Sequence, residues 1–304
     1  MNPQSNSTKA AVLLLAHGSP DSVDEVPEFL RNVTNGRPVP VQVIEEVKHR
    51  YSSIGCSPLT ALTLKQGELL AGELGTPVYV GMRNWKPYIA DIVASMEADQ
   101  VSRAVVICLA PQNSRTSVGL YRAALGNGLP FRFEFIDSWH DHPLLIKAFA
   151  EKLRKAREDA SRELGTELPV IFTAHSVPQR TIAEGDPYEK QSRETAALVV
   201  REVPLPPDAW RFAFQSQEMS GGEWLRPTVE DTILELKKAD YHGVFVQPIG
   251  FLCDHVEVLY DIDIGFRQFA EKQGLRLWRA ESLNDSPLLI AALADLAGKG
   301  LASL

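Results

Sequence analysis

Cysteine is scarce in this chain of 304 residues. Its three cysteines, Cys56, Cys108 and Cys253, lie far apart and form no CxxC pair. Three scattered thiols build neither a disulfide framework nor a four-cysteine iron–sulfur or zinc site. We therefore expect no iron–sulfur cluster, and we expect the thiols to serve as small buried hydrophobic side chains.

The chain also lacks an excess of basic residues and any long apolar run. Its formal net charge is -8 and its pI is about 5.5, whereas phosphate recognition needs a basic surface. No apolar segment approaches the roughly 20 residues of a membrane-spanning helix. The short run AVLLLA leads into His-Gly-Ser-Pro without a signal-peptide cleavage pattern. We expect no nucleic-acid partner, no transmembrane segment and a cytoplasmic location.

Three common catalytic motifs are missing as well. The sequence contains no GxGxxG and no GxxxxGK[ST], the glycine-rich loops that bind dinucleotides and nucleoside triphosphates. It contains no GxSxG elbow, which presents the nucleophile in many serine hydrolases. These absences argue against a nucleotide-dependent enzyme and against a Ser-His-Asp hydrolase.

Short runs rich in Val, Ile, Leu and Phe alternate with longer amphipathic stretches. The first half contains AVLLLA, PVYVGM, AVVICLAP and FRFEFIDSW, and the second half contains PVIFTA, WRFAFQS, GVFVQPIGF and LRLWRAES. Continuous apolar strands between helices are typical of parallel sheets covered on both faces. The pattern predicts an α/β protein with two similar domains, each a four-stranded parallel sheet flanked by helices.

The chain length fits two domains of ordinary size. We place the N-terminal domain at residues 1–150 and the C-terminal domain at residues 151–304, with the junction in the charged helical region before the second set of strands. The stretch 285–300 predicts a helix with Asp285 or Ser286 as its N-cap. We expect this terminal helix to pack back on the first domain.

Each half begins with a strand that leads into a histidine. His17 follows AVLLLA, and His175 follows PVIFTA in the matching place. In open parallel sheets, ligands bind outside the carboxyl ends of the strands, so both imidazoles are expected at a ligand crevice. Either ring can serve as a ligand or base, or as a hydrogen-bonded structural residue.

The densest group of polar side chains is the segment CDHVEVLYDID, residues 253–263. If this segment begins a helix, Asp254 caps the first turn. Glu257 and Asp261 then lie on one face of the helix, where their carboxylates can bind a cation. An acidic, solvated first turn favoured by the helix dipole explains the same pattern. Opposite Glu257, the imidazole of His175 would suit a borderline metal such as Fe²⁺, and the pair could also move protons.

Aromatic and basic residues recur near loops and strand ends. They occur as Arg50-Tyr51, Arg83-Asn84-Trp85, Tyr121-Arg122, Trp139 and Trp224. Flat aromatic faces with a few guanidinium groups suit a large, planar, acidic ligand. Packing in the core is the alternative, and we favour it for Trp139.

The sequence resembles the ferrochelatases over nearly its whole length. The resemblance is carried by HRYSSIGCSPLTALTLKQ, YVGMRNWKP, FTAHSVPQRTIAEGDPY, FQSQ, EWLRP, QPIGFLCDHVEVLYDID and RAESLNDSP, in this order. It implies two Rossmann-like domains of chelatase type around a porphyrin cleft, without a nucleotide. It also implies insertion of Fe²⁺ into a porphyrin in haem biosynthesis, with iron as a substrate and no permanently bound cofactor.

The resemblance also implies roles for individual residues. The catalytic and metal-handling pair falls on His175 and Glu257, with Asp261 as a further metal ligand. The implied porphyrin contacts are His17, Arg50, Tyr51, Ser57 and Tyr121. His17 stands where relatives usually have Tyr or Met. Thr34 replaces an arginine of some relatives, Phe214 replaces a frequent tryptophan, and Gly265 stands where a third acid can follow.

The substrate and partners are also expected by resemblance. The segment GRPVPVQVIEEVKHRY, residues 36–51, lacks the long insertion of many protoporphyrin-using relatives. It resembles the coproporphyrin branch, so we favour coproporphyrin III over protoporphyrin IX. We expect a monomer with transient partners from the haem pathway. The alternatives are a cobalt or iron chelatase for sirohydrochlorin and a non-catalytic porphyrin or haem carrier.

Overall fold

The protein contains two parallel four-stranded sheets, as the strand pattern predicts. The computed structural model describes residues 9–165, 167–216 and 222–304. The first sheet consists of β1 (Lys9–Ala16), β2 (Val78–Met82), β3 (Val101–Cys108) and β4 (Arg132–Ile136). The second consists of β5 (Val170–His175), β6 (Trp210–Gln215), β7 (Gly243–Pro248) and β8 (Arg276–Arg279). Their orders, β2-β1-β3-β4 and β6-β5-β7-β8, are equivalent, and the predicted α/β class is confirmed.

Helices connect and flank the strands. In the first half they are α1 (Val26–Val33), α2 (Val41–Ser53), α3 (Leu59–Leu74), α4 (Ile89–Ala98), α5 (Val118–Ala124) and α6 (Pro143–Leu164). In the second half they are α7 (Gln179–Ala183), α8 (Tyr188–Glu202), α9 (Val229–Lys238), α10 (Val256–Leu259), α11 (Arg267–Lys272) and α12 (Pro287–Ser303). A 3₁₀ turn covers Val23–Glu25 and a π-helix covers Asp261–Phe266. Helix α6 connects the two sheets and runs through position 150.

The apolar runs are buried on both faces of each sheet. In β1, Val12 and Leu14 pack into one core cluster, and Leu13 and Leu15 pack into another on the opposite face. All four side chains are fully buried. A strand covered on both sides needs a continuous rather than an alternating apolar pattern, and this explains why AVLLLA carries no polar residue.

Two of the three cysteines are buried, as expected for small hydrophobic side chains. Cys108 and Cys253 are buried, Cys56 is half-buried, and all three are free thiols. Within the described ranges, no helix combines the length and the apolar character needed to cross a membrane.

The last helix packs against the first half of the chain. Ser286 caps α12 by accepting a hydrogen bond from the backbone N–H of Leu289, at 3.3 Å. The helix contacts α3, α6 and β3, and Gly300 approaches β3 so closely that an added Cβ would lie 2.7 Å from Val105 Cγ2. At Gly298, two residues earlier, an added Cβ would have no atom within 4 Å.

These two glycines allow the docking of α12 to be measured. Gly298→Ala should stabilise the fold by about 0.5–1 kcal/mol, because alanine loses less backbone entropy in a helix. Gly300→Ala gains the same propensity but forces Val105 to move, at a cost of about 1–3 kcal/mol. The difference between the two variants in free energy of unfolding, from urea denaturation, isolates the packing cost. Equal stabilities would contradict the close approach of α12 to β3.

Candidate active site at the carboxyl edges of the two sheets

The structure brings His175 and Glu257 together. His175 is the last residue of β5, and Glu257 lies in the first turn of α10. His175 Nδ1 and Glu257 Oε2 are 2.8 Å apart, and each side chain is 34% exposed. The pair therefore lies side by side at the carboxyl edge of the second sheet, within reach of solvent and of a ligand.

Buried polar groups hold the two residues in place. The hydroxyl of Tyr188 donates to the backbone carbonyl of His175 at 3.0 Å. Gln215, at the end of β6, donates from Nε2 to the backbone carbonyl of Glu257 at 2.9 Å and accepts from Thr173 Oγ1 at 3.0 Å. Gln215 is 1% exposed, so its amide forms a rigid bridge from the sheet to α10.

The electrostatic environment of the pair keeps Glu257 ionised. Burial alone would raise the pKa of Glu257, but the charge and hydrogen bond of His175 hold it well below its usual range. The charge of His255 acts in the same direction. Because an ionised carboxylate only accepts hydrogen bonds, Nδ1 of His175 carries the hydrogen of this contact, and Nε2 is the basic atom of the ring.

Asp261 lies further along the same segment but has other partners. Its Oδ2 accepts from Ser216 Oγ at 2.7 Å, and its Oδ1 is 3.5 Å from Arg50 Nη1. Burial raises the pKa of Asp261, as does the charge of Glu257, while Ser216 and Arg50 act in the opposite direction. In the described part of the chain, no three His, Cys, Asp or Glu side chains converge to hold a metal ion. The metal-binding roles of His175, Glu257 and Asp261 stay predictions.

The local helix differs from the expected one in two ways. Helix α10 ends at Leu259, and the chain continues as a π-helix from Asp261, so the two acids do not share one regular α-helix. The expectation that Asp254 caps α10 is wrong, since His255 is the N-cap residue. Asp254 instead accepts hydrogen bonds from Ser282 at 2.8 Å and Asn284 at 2.9 Å, and it pairs with Arg279 at 3.2 Å. These donors occupy the carboxylate that a cap would need.

On the side of the first sheet, His17 stands at the end of β1. Its Nδ1 donates to the backbone carbonyl of Gly18 at 2.9 Å, and its ring meets the edge of Phe29 with centroids 5.8 Å apart. Burial lowers the pKa of His17 to about 4, so the ring is neutral at pH 7 and Nε2 is an acceptor. Arg50, on α2 of the first half, lies 3.5 Å from Asp261, so the first half reaches the segment that carries Glu257.

Two further predicted porphyrin contacts, Tyr51 and Tyr121, lie in the same half of the structure as His17. Tyr51 packs edge-on to Phe29, and its hydroxyl is 3.0 Å from Ser19 Oγ. Burial raises the pKa of Tyr51 to about 12. Tyr121 is buried in the core of the first half, with the guanidinium of Arg83 6.0 Å from its ring centroid.

Arg50 and Ser57 have local partners that sequence reasoning did not anticipate. Arg50 lies 3.0 Å from Glu46, one turn earlier in α2, and its guanidinium is 5.3 Å from the Tyr260 ring centroid. Ser57 Oγ accepts from the backbone N–H of Leu59 at 3.3 Å, at the entry to α3. Among the described residues, neither side chain contacts His175 or Glu257, and their roles toward a porphyrin stay predictions.

His255 and Gln215 are site residues that sequence reasoning missed. His255 donates from Nδ1 to the carbonyl of Cys253 at 2.9 Å, and its ring lies 4.7 Å from that of Phe251. The density of polar residues at 253–263 was a signal for His255. Gln215 lies in the FQSQ block, but only the tertiary structure places the end of β6 beside α10.

Three positions where the chain departs from its expected relatives have plain structural settings. Thr34 is half-buried at the end of α1 and donates to the carbonyl of Arg37 at 2.9 Å. Phe214 is fully buried and packs edge-on to Phe212. An added Cβ at Gly265 would meet only the carbonyl of Tyr260, at 3.6 Å, so an acid there would fit. Gln217, the last residue of the FQSQ block, lies outside the described residues.

Comparisons with known proteins identify the family. The model of the family described as Ferrochelatase matches residues 9–301. The chain belongs to the ferrochelatase family. It is 57% identical over 309 residues to the ferrochelatase of Acidobacterium capsulatum, with 96% of this chain and 95% of that protein covered. It is 34% identical over 302 residues to the coproporphyrin III ferrochelatase of a Geobacillus species, with 95% and 96% covered.

A comparison with solved structures supports the fold. The chelatase SirB from Bacillus subtilis with Fe³⁺ aligns with a TM-score of 0.58 at 13% identity, covering 97% of this chain and 96% of that one. This likeness shows a shared chelatase fold alone. Membership of the ferrochelatase family makes the chain a metal-inserting enzyme of haem biosynthesis, and the family match favours this activity over the sirohydrochlorin and carrier alternatives.

The burial of His17 predicts a particular loss of stability in acid. The unfolded chain binds a proton at this ring near pH 6.5, whereas the folded protein binds it only near pH 4. Stability from the neutral ring is therefore fully present above pH 6.5 and is lost as the pH falls toward 4, by about 2–3 kcal/mol.

The measurement is the free energy of unfolding of the wild type and of His17→Met between pH 7 and pH 4. The variant should lose less stability over this range, because methionine does not titrate. Other acidic groups contribute equally to both proteins and cancel in the comparison. Identical pH slopes for the two proteins would contradict the assignment.

Proposed function

We propose that this ferrochelatase inserts Fe²⁺ into its porphyrin at the pair formed by His175 and Glu257. The hydrogen bond of 2.8 Å between them, with both side chains partly open to solvent, is the observation that carries the proposal. It places a proton acceptor, the imidazole of His175, next to an oxygen ligand, the carboxylate of Glu257. Insertion needs both functions, because the macrocycle loses two N–H protons for each Fe²⁺ that it binds.

His175 takes the pyrrole protons in this proposal. Its Nε2 accepts a proton from a pyrrole N–H, and the carboxylate of Glu257 stabilises the resulting imidazolium through Nδ1–H. The ring passes the first proton to solvent before it accepts the second. A macrocycle bent by the walls of the cleft presents its nitrogens to His175 better than a flat one, so binding energy is used to promote deprotonation.

Glu257 and Asp261 guide the iron. Fe²⁺ accepts oxygen donors, and stepwise replacement of its water by carboxylate oxygens lowers the cost of the final transfer to nitrogen. Asp261 reaches the ion only after giving up its contacts with Arg50 and Ser216. The ion pair with Arg50 is long, at 3.5 Å, which makes this exchange inexpensive.

Coproporphyrin III is the favoured substrate, and protoporphyrin IX is the alternative. The short segment 36–51 supports this choice, as does the similarity to relatives named coproporphyrin III ferrochelatase in two Geobacillus species. The substrate carries four propionates and so requires more polar contacts than protoporphyrin IX, which carries two.

We also propose that the enzyme acts in the cytoplasm as a monomer. It takes porphyrin and Fe²⁺ as substrates, holds no iron–sulfur cluster and meets haem-handling partners transiently. The three free thiols support a reducing compartment.

His175→Ala should abolish iron insertion and leave porphyrin binding within about threefold, because only the proton acceptor is removed. Anaerobic mixing with porphyrin and Fe²⁺ gives the insertion rate from absorbance, and fluorescence quenching gives the porphyrin Kd. The control is His142→Ala, which removes a histidine paired with Asp295 at 2.9 Å outside the site. Near-normal turnover of the His175 variant would eliminate its proposed role.

The wild-type enzyme should insert Fe²⁺ into coproporphyrin III with a kcat/KM at least about tenfold higher than into protoporphyrin IX, since one charge-assisted contact alone provides this factor. Both porphyrins are compared under the same anaerobic conditions and detergent concentration. A clear preference for protoporphyrin IX would overturn the choice of substrate and leave the roles of His175 and Glu257 untouched.

A further inference from the structure

Arg83 is fixed beside His17 by backbone hydrogen bonds. After β2 ends at Met82, the N–H of Arg83 donates to the carbonyl of Ala16 at 2.9 Å, and the N–H of Asn84 donates to the carbonyl of His17 at 3.0 Å. The charge of Arg83 contributes to the low pKa of His17. Arg83 therefore belongs to the first-sheet side of the active site.

Among the described residues, the guanidinium of Arg83 has no counter-ion. Within the described ranges, its side chain donates no hydrogen bond and forms no ion pair, although it is half-buried. Its guanidinium carbon lies 6.0 Å from the ring centroid of Tyr121. A partly desolvated cation with no acceptor costs free energy, so such a group is expected to have a partner when the protein works.

Two other arginines near the site, unlike Arg83, have carboxylate partners. Arg279 pairs with Asp263 at 2.8 Å and with Asp254 at 3.2 Å. Arg50 lies 3.0 Å from Glu46. The guanidinium of Arg83 is therefore more available than either of these to bind a carboxylate of a ligand.

The residues that follow Arg83 add further donors without acceptors. Asn84 Nδ2 and Trp85 Nε1 are buried, and neither has a hydrogen-bond partner among the described residues. Lys86 is exposed, forms no ion pair in the described part of the chain, and lies 5.3 Å from the ring centroid of Trp85. The segment 83–86 is therefore rich in N–H donors and positive charge, and it lacks a carboxylate of its own.

We propose that Arg83 binds a carboxylate of the porphyrin and selects a tetracarboxylate over a dicarboxylate. Arg50 adjoins Tyr51 in the sequence, the backbone of Arg83 is hydrogen-bonded to the end of β1 beside His17, and Phe29 packs against both His17 and Tyr51. We place the two arginines at the two ends of this aromatic run. The two propionates of protoporphyrin IX lie on adjacent pyrroles and reach one end of this run. Coproporphyrin III carries a propionate on every pyrrole and reaches both.

This inference rests on the proposed function, since it names a contact of the same porphyrin site. Arg83 acts as a specificity-determining residue and takes no part in proton transfer or iron binding. A guanidinium forms two parallel hydrogen bonds with a carboxylate, and such a contact accounts for a difference of about 10- to 100-fold in affinity.

The test is porphyrin binding without iron, measured by fluorescence quenching. The Kd values for coproporphyrin III and protoporphyrin IX are determined for the wild type, Arg83→Met and Arg83→Lys. The methionine variant should reduce the preference for coproporphyrin III by about 10-fold or more, and the lysine variant should retain part of it, because it keeps the charge without the bidentate geometry.

Arg103→Met is the matched control. Arg103 is also half-buried, its Nε has no partner among the described residues, and it pairs in register with Arg132 at the start of β4, away from the carboxyl edge. Its replacement should leave the preference unchanged. Far-ultraviolet circular dichroism checks folding, and if Arg83→Met does not fold, Arg83→Gln takes its place with the same expected result.

The outcomes separate this inference from the proposed function. Equal loss of affinity for both porphyrins, or no loss for either, would overturn the role of Arg83 even if the wild type inserts iron normally. A changed preference in a protein whose wild type binds porphyrin but inserts no Fe²⁺ would retain the role of Arg83 and refute the proposed function.

Discussion

The hydrogen bond between His175 and Glu257 is the contact on which the candidate active site depends. The two residues are 82 positions apart in the sequence. Only the folding of the second half brings the end of β5 and the start of α10 together. Gln215 links the sheet to α10, and Tyr188 holds the backbone at His175. Because these supports are buried while the pair itself is partly open, the protein fixes the position of the imidazole and the carboxylate without sealing them from solvent, protons or ions.

The two sides of the site carry opposite charges. The first-sheet side presents the neutral ring of His17 with the cations Arg83 and Lys86, whereas the second-sheet side presents Glu257 and Asp261. Under the proposed function, an acidic macrocycle and a metal cation would be attracted to different walls of one site, since a cleft lined by one sign of charge concentrates the opposite ion. This separation would keep the propionates of a porphyrin away from the carboxylates proposed to guide iron.

Much of the fold followed from sequence, and less of the site did. Runs such as AVLLLA predicted strands buried on both faces, and the repeat of strand and histidine predicted which sheet edge to examine. The π-helix from Asp261 and the failure of Asp254 to cap α10 could not be predicted, because Arg279, Ser282 and Asn284 reach Asp254 only in the folded protein. Local patterns predict elements, and distant partners decide how the ends of those elements are built.

His17 and His175 show how two equivalent positions acquire different chemistry. Both rings follow the central strand of their sheet, and both use Nδ1 as a donor, but the acceptors differ. His17 donates to the neutral backbone carbonyl of Gly18, at 2.9 Å, which does little to stabilise a positive ring, and burial then lowers its pKa to about 4. His175 donates to the carboxylate of Glu257, whose negative charge stabilises the protonated ring. In the proposed mechanism, this difference in acceptor makes His175 rather than His17 the ring that takes a proton from the substrate.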